Sequence, residues 1–248
     1  MAKSKYDYVI ALDLPKPGLP KLEKAAEFTD TPQAVTVGSQ LTEFTAAVAA
    51  DVRSAVSNSL LLAQLAANKA AGPGSDVFGW YDHYAEVLQG IGWESQNLEF
   101  EDKVTGGKDL DVHKAIIPVI ATALGPAAAA ASIVLSVLNG LKDMNTDSPW
   151  ITLFNQKSEH VAGAKFQVTH VDGDAASGDP QLTLLCFAID AKQTLTQVLF
   201  FKFVSQQVAL KQSTRRLSVT RDRLNTDKAV IAQRVDAFVA DNIQSISL

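Results

Sequence analysis

The stretch AIIPVIATALGPAAAAASIVLSVLNGL, residues 115–141, contains 27 consecutive residues without a charged side chain and separates two parts of the chain that differ in sequence period. Gly125 and Pro126 interrupt it near its middle. Glycine is common just after a helix, and proline is common at the first position of the next one. The sequence therefore predicts two apolar helices, at 112–124 and 126–139, that meet at a sharp corner. We call residues 115–141 the apolar hairpin.

Before the apolar hairpin, hydrophobic residues recur mainly at helical spacing. Ser39 is a suitable N-cap for a long helix that ends near Ala71, and Asp76 is suitable for a second helix at 77–90. Residues 6–12 alternate aromatic or aliphatic side chains with other residues, which predicts a short strand.

After the hairpin the period changes to two, which predicts β-structure. Residues 182–189 are apolar on both faces and are expected to form a central strand, and an amphipathic helix is expected at 226–243. The predicted strands are 150–154, 165–171, 182–191, 197–203, 206–211 and 217–220.

These patterns predict an α+β fold. We expect a helical N-terminal half, including the buried apolar hairpin, to pack on a C-terminal antiparallel β-meander that is followed by a final amphipathic helix. Residues 1–248 are expected to form one domain in two layers, with 1–149 as the mainly helical layer and 150–248 as the sheet and last helix.

The composition is that of an ordinary globular protein, with 20% charged and 47% hydrophobic residues. The net charge of −5 disfavours nucleic acid as a partner. The single cysteine, Cys186, excludes an internal disulfide and is typical of a reducing compartment. Asp7 and Asp13 interrupt the segment where a signal peptide would need its apolar core. We therefore expect the protein to be cytoplasmic as synthesised, with any release following a leaderless route.

Signatures of known catalytic chemistry are absent from the sequence. It has no nucleophile elbow and no phosphate-binding loop. Its four histidines are dispersed, and the acidic loop 172–179 lacks the order of ligands of an EF-hand. Cys186 lies in the most apolar predicted strand, where burial makes a thiol inert. We expect no catalytic, cofactor-binding or metal-binding residue and no cofactor.

The apolar hairpin has two explanations. It can be a buried core element between the sheet and the outer helices, or it can be sheltered in the free protein and released into a membrane on contact. Helical pore-forming proteins have this general layout, and membrane lipid would then be the partner. The residues expected to carry this function are Ile116, Ile117, Ile120, Leu124, Gly125, Pro126, Ile133, Val134 and Val137.

A second feature is an aromatic cluster formed by Trp80, Tyr81, Tyr84 and Trp93. Such side chains line interfaces and pockets, and they also fill the contact between a helix and a sheet. The sequence thus favours a membrane-active, toxin-like protein without enzymatic activity. The alternatives are a non-catalytic module for protein binding or self-assembly, with a protein partner or homo-oligomer, and an enzyme of unrecognised type.

Overall fold

The computed structural model describes residues 5–18, 25–72, 76–94, 101–103, 110–161, 163–203 and 208–246. Within these residues the chain forms eight α-helices and ten strands. The helices are α1 (Lys5–Ala11), α2 (Ala50–Ala71), α3 (Val77–Gly90), α4 (Val112–Leu124), α5 (Pro126–Ala131), α6 (Ile133–Gly140), α7 (Pro149–Ser158) and α8 (Arg221–Val239). The strands are β1 (Gln33–Val37), β2 (Gln40–Phe44), β3 (Glu101–Lys103), β4 (Leu110–Asp111), β5 (Glu159–His160), β6 (Gly163–Gly173), β7 (Pro180–Asp190), β8 (Lys202–Phe203), β9 (Ala209–Ser218) and β10 (Ile243–Ser245).

One mixed sheet organises the fold. Its strand order is β10-β1-β2-β6-β7-β9-β3, with β5 paired to the start of β6, and β4 and β8 form a separate pair. β2 runs parallel to β6, while the other neighbouring strands of the sheet are antiparallel. Strands from the N-terminal half join those from the C-terminal half at this parallel pair, and also where β1 pairs with β10 and β3 pairs with β9.

Helices cover both faces of this sheet and create two hydrophobic cores. On the first face, α2, α3 and α8 pack against residues that include Leu184 and Cys186 of β7. On the second face, α4, α6 and α7 pack against residues that include Leu185 and Phe187. Alternate residues of a strand point to opposite faces, so β7 supplies both cores. Its position explains why residues 182–189 are apolar on both faces.

The α+β class is confirmed, and several predicted elements have the expected positions. Helix α3 has the predicted bounds, and the Asp76 side chain accepts a hydrogen bond from Phe78 N–H at 3.3 Å, as an N-cap does. Helix α4 also has the predicted bounds, β6 contains the predicted strand 165–171, and β7 covers the predicted strand 182–191 except for its last residue. The prediction that residues 1–248 form one domain stays a prediction.

The sheet has one hydrophobic core on each of its two faces. It also contains β1 and β2, which were not expected. Gly38, with φ +56°, allows the tight turn between them, and the helix expected from Ser39 begins only at Ala50. Leu41 and Phe44 resemble one face of a helix, but in β2 they point to opposite faces of the sheet.

Two segments that were predicted as strands are helical. Residues 6–12 lie almost entirely in α1, and residues 150–154 lie in α7. In α1 only Val9 is buried, and the helix packs along α8. In α7 the start is set by Pro149 at the first helical position, where its missing N–H has no cost. The buried residues Trp150, Ile151 and Phe154 then recur at helical spacing.

The remaining differences concern element ends. The second helix of the hairpin is divided at Ser132 into α5 and α6. In the segment 197–203 only Lys202–Phe203 forms a strand. The strands predicted at 206–211 and 217–220 correspond to the single strand β9, with residues 204–207 outside the described part. The last helix ends at Val239, and Ile243 belongs to β10 instead.

Candidate functional site: the apolar hairpin and its contact with the sheet

Helix α4 is the first arm of the apolar hairpin, and it lies with one face on the second core. Its buried residues are Val112, His113, Ala115, Ile116, Val119 and Ile120. Backbone N–H groups fix its beginning, because Val112 donates to the Phe201 carbonyl at 2.9 Å and His113 donates to the Leu199 carbonyl at 3.2 Å. Among the described residues, the hydrogen bonds that attach this arm to the C-terminal half lie just before residue 115.

Helix α5 forms the tip of the hairpin and lies at the surface. Gly125 has φ +79°, which favours glycine, and Pro126 begins the new helix as predicted. None of the six residues of α5 is buried. Pro126, Ala127, Ala130 and Ala131 face solvent, while Ala128 and Ala129 are half-buried.

Helix α6 is the second arm and returns to the sheet. The Ser132 side chain caps it by accepting a hydrogen bond from Leu135 N–H at 3.1 Å. Val134, Leu135, Val137 and Leu138 are buried in the second core, while Ser136 and Asn139 are exposed. This arm thus has one apolar face on the sheet and one uncharged polar face in water.

The nine predicted hairpin residues fall into two groups. Ile116, Ile120, Val134 and Val137 are buried against the sheet. The others lie at the edge or tip, where they are partly or fully exposed: Ile117, Leu124, Gly125, Pro126 and Ile133. The hairpin therefore presents a surface without charge to solvent.

A buried carboxylate joins the hairpin to the sheet. Glu43 on β2 is 3% exposed, and its Oε2 accepts hydrogen bonds from Ser132 Oγ at 2.8 Å and from Val134 N–H at 2.9 Å. Its Oε1 lies 2.6 Å from Nδ1 of His170 on β6. A carboxylate at a helix N-terminus satisfies free N–H groups and complements the helix dipole. We call this arrangement the Glu43 contact.

Sequence analysis missed Glu43 and His170 as a site. The segment 39–44 was assigned to a helix, and in that assignment Glu43 would be an ordinary surface residue. The parallel register places Glu43 opposite His170, which are 127 positions apart in the chain. Ser132 was the available signal, because a serine directly before an apolar run is a frequent N-cap.

The aromatic cluster lies inside the protein, on the first face of the sheet. Trp80, Tyr81, Tyr84 and Trp93 are each at most 2% exposed. The Tyr81 hydroxyl lies 2.9 and 2.7 Å from the carbonyl oxygens of Phe166 and Phe187, and Tyr84 donates to Gln40 at 3.0 Å. Burial raises the pKa of both tyrosines well above the ordinary value. In this arrangement the cluster fills the contact between helix α3 and the sheet.

Lys165 is an unusual neighbour of this cluster. It is 6% exposed, and its Nζ lies 4.6 Å from the centre of the Trp80 ring. Burial lowers the pKa of its amine to about 8. Its stabilising contact among the described residues is thus an aromatic face, which attracts a cation more weakly than a carboxylate does.

The remaining candidates for reactive or metal-binding groups are Cys186 and the acidic loop 172–179. The cysteine is buried, and carboxylates of the loop accept hydrogen bonds from nearby residues. Burial raises the pKa of the Cys186 thiol, which keeps the thiol protonated and unreactive. In the acidic loop, Asp174 accepts hydrogen bonds from Ala176 N–H, Ser177 N–H and the Ser177 hydroxyl, and these bonds lower its pKa. Asp179 caps helix α8 by accepting from Arg221 N–H at 2.8 Å. The described residues include no group of three histidine, cysteine or acidic side chains placed to hold a metal ion.

Among the described residues, the helices are all too short or too polar to cross a bilayer. No family model matches the chain, and no curated protein matches it either.

Two solved structures show distant likeness to this chain. The activated Cyt2Ba monomer from Bacillus thuringiensis subsp. israelensis has 11% identity and a TM-score of 0.33, over 56% of this chain and 79% of that chain. The Evf virulence factor has 9% identity and a TM-score of 0.36, over 97% of this chain and 90% of that chain. At these TM-scores the likeness carries no functional argument.

Proposed function

We propose that the protein acts on lipid membranes without enzymatic chemistry, and that the apolar hairpin is the part that enters the membrane. The observation that carries this proposal is the surface of α5. Four of its six residues, Pro126, Ala127, Ala130 and Ala131, are exposed, and they form a tip without charge near the centre of a segment of 27 uncharged residues. Exposed uncharged surfaces of this kind are typical of membrane or protein contact sites.

The geometry favours shallow insertion over spanning. The 13 residues of α4 extend about 20 Å at the helical rise, which is less than the roughly 30 Å of a bilayer's hydrocarbon core. The tip can enter the interface first, because α5 is already exposed. The faces of α4 and α6 that now cover the sheet would then exchange one apolar environment for another.

Dye release from liposomes tests the proposal. Vesicles of neutral and of anionic lipid are filled with a self-quenching dye, and release is measured against protein concentration at pH 7 and pH 5. The informative variants are Ala127→Glu and Ala130→Glu, since both residues are exposed in α5. Ile120→Asp and Val134→Asp would disrupt the second core, so they are less useful.

The expected result is saturable release by the unaltered protein. Each glutamate at the tip should raise the protein concentration for half-release roughly 10- to 100-fold, because a charge is costly to place in the hydrocarbon region. Ala229→Glu is the matched control, since it adds the same charge to an exposed alanine on α8. Circular dichroism should show the same fold for all these proteins.

Two outcomes contradict the proposal. One is the absence of both release and vesicle binding in every condition. The other is equal loss of release in the tip variants and in Ala229→Glu, which would point to net charge instead of the hairpin. Sedimentation that depends on concentration, together with inactivity on vesicles, would favour the self-assembly alternative.

A further inference from the structure

We infer that the Glu43 contact is autoinhibitory: it holds the apolar hairpin closed on the sheet and sets how readily the hairpin is released. An autoinhibitory role for this contact rests on the proposed membrane function. Whether the contact holds the hairpin closed can be tested without a membrane. Three groups from two other elements meet the Glu43 carboxylate, namely Ser132 Oγ, Val134 N–H and the His170 ring.

The first argument is that the Glu43 contact is isolated. Among hydrogen bonds between described residues, the two that Glu43 accepts are the only ones that join residues 115–141 to a strand of the sheet. The other side-chain hydrogen bonds of the hairpin in the described part are internal, for example from Thr122 to the Pro118 carbonyl and from Asn139 to the Leu135 carbonyl. The backbone bonds of Val112 and His113 lie before the hairpin. Within the described part of the chain, release of the hairpin therefore breaks one polar contact with the sheet.

The second argument concerns what a membrane can replace. The buried faces of α4 and α6 are aliphatic, and lipid chains are as apolar as the core that these faces leave. The hydrogen bonds to Glu43 have no equivalent in lipid chains. Hydrogen bonds to a charged acceptor are also stronger than neutral ones. The Glu43 contact is thus the interaction that specifically favours the closed hairpin.

The third argument is its position. Ser132 lies between the exposed helix α5 and the covered helix α6, so the contact is made where the hairpin passes from surface to core. Ser132 also caps α6 through Leu135 N–H. The Glu43 contact therefore joins the hairpin to the sheet at the boundary between the tip and the buried face of α6.

Hydrogen exchange measured by mass spectrometry, in buffer at fixed pH and without lipid, tests the inference. Glu43→Gln keeps the size of the side chain but removes its charge, so the hydrogen bonds from Ser132 Oγ and Val134 N–H lose their charged acceptor. We expect amides of α6 to exchange about 10- to 100-fold faster than in the unaltered protein. Amides of α2 and α8 should keep their rates, because these helices lie on the other face.

Two further variants keep the experiment decisive. Ser132→Ala removes one donor while Glu43 stays, so it gives a milder test with the same expected pattern. Gln64→Met is the control: Gln64 is a buried polar side chain on α2 that accepts from Ser39 N–H at 3.0 Å and donates to the Val37 carbonyl at 2.7 Å. It should weaken the first face without selective exchange in α6.

The same variants in the dye-release assay separate this inference from the proposed function. Faster exchange in α6 and a lower protein concentration for release in Glu43→Gln support both. Faster exchange in α6 without any release supports the Glu43 contact and rejects the membrane function. A third outcome overturns the inference and leaves the membrane function standing. In it the unaltered protein releases dye, but amide exchange in Glu43→Gln is either unchanged in α6 or faster by the same factor in all helices.

Discussion

Lys165→Met is the substitution for which the structure gives the most quantitative expectation. Burial lowers the pKa of this amine from its ordinary value of 10.5 to about 8. This difference corresponds to a cost of about 3 kcal/mol for burying the protonated amine. Methionine fills a similar space without charge, although the contact with Trp80, worth about 1 kcal/mol, is lost. We therefore expect the variant to be more stable by about 1–3 kcal/mol at pH 7.

The pH dependence has a definite sign. Below the folded pKa the amine is protonated in both states, so the full cost is present. Between about 8 and 10.5 the unfolded chain binds more protons than the folded protein, and stability therefore rises with pH. The advantage of Lys165→Met over the unaltered protein should shrink by about 1 kcal/mol between pH 7 and pH 9.

Urea unfolding of both proteins at several pH values measures this difference. Other groups that titrate in alkali are present in both proteins, so their contributions cancel in the comparison. Lys211→Met is the control, because it removes a half-buried lysine whose Nζ lies 5.1 Å from the Phe78 ring. A constant difference between Lys165→Met and the unaltered protein from pH 7 to pH 9 would refute the reasoning, since it would show that the Lys165 amine is solvated.

Further predictions concern the core. Tyr81→Phe removes the hydroxyl shared by two buried carbonyls and should lower the free energy of unfolding by about 1–3 kcal/mol in urea titrations. Gly38→Ala should cost a similar amount, because φ is +56° and a Cβ would lie 2.5 Å from Gln64 Oε1. The raised pKa of Tyr81, Tyr84 and Cys186 gives stability that is present below their unfolded pKa values and is lost as pH rises above them, which alkaline unfolding followed by circular dichroism would detect. Cys186 should react with thiol reagents only at the rate of opening, and rapid labelling of the native protein would contradict its burial.

Secondary structure could be predicted correctly where residues close together in the sequence determine it. Helix α3 has an N-cap at Asp76, and α4 ends at Gly125 before Pro126, so their bounds could be predicted. Strand β7 could be recognised as central because its odd-numbered and even-numbered residues, which point to opposite faces of the sheet, are both mainly apolar. In each case the determining residues are neighbours in the chain.

The prediction errors arose where contacts between distant parts of the chain determine the secondary structure. Strand β2 is a strand because it pairs with β1 and with β6, which lies more than a hundred residues away. Residues 6–12 lack a partner strand, so their alternating pattern produced no strand. The same dependence hid the Glu43 contact, because only the register of β2 against β6 brings Glu43 to His170. Short apolar segments fit both periods, and tertiary contacts choose between them.

The contrast between the two faces of the sheet bears most directly on function. Both faces need helices to cover apolar strands, and on the first face α8 does this with charged residues such as Lys228 and Asp236 on its outer side. On the second face the hairpin performs the same task with alanine, serine and asparagine and no charge through 27 residues. The need to cover the sheet explains why α8 and the hairpin both have apolar residues on their inner sides. It does not explain why the outer side of α8 is charged and that of the hairpin is not. Small uncharged residues cost little in water, and in lipid they avoid the cost of burying a charge. An outer surface that tolerates both solvents is what a releasable hairpin requires, and it is the property that glutamates at Ala127 and Ala130 would remove.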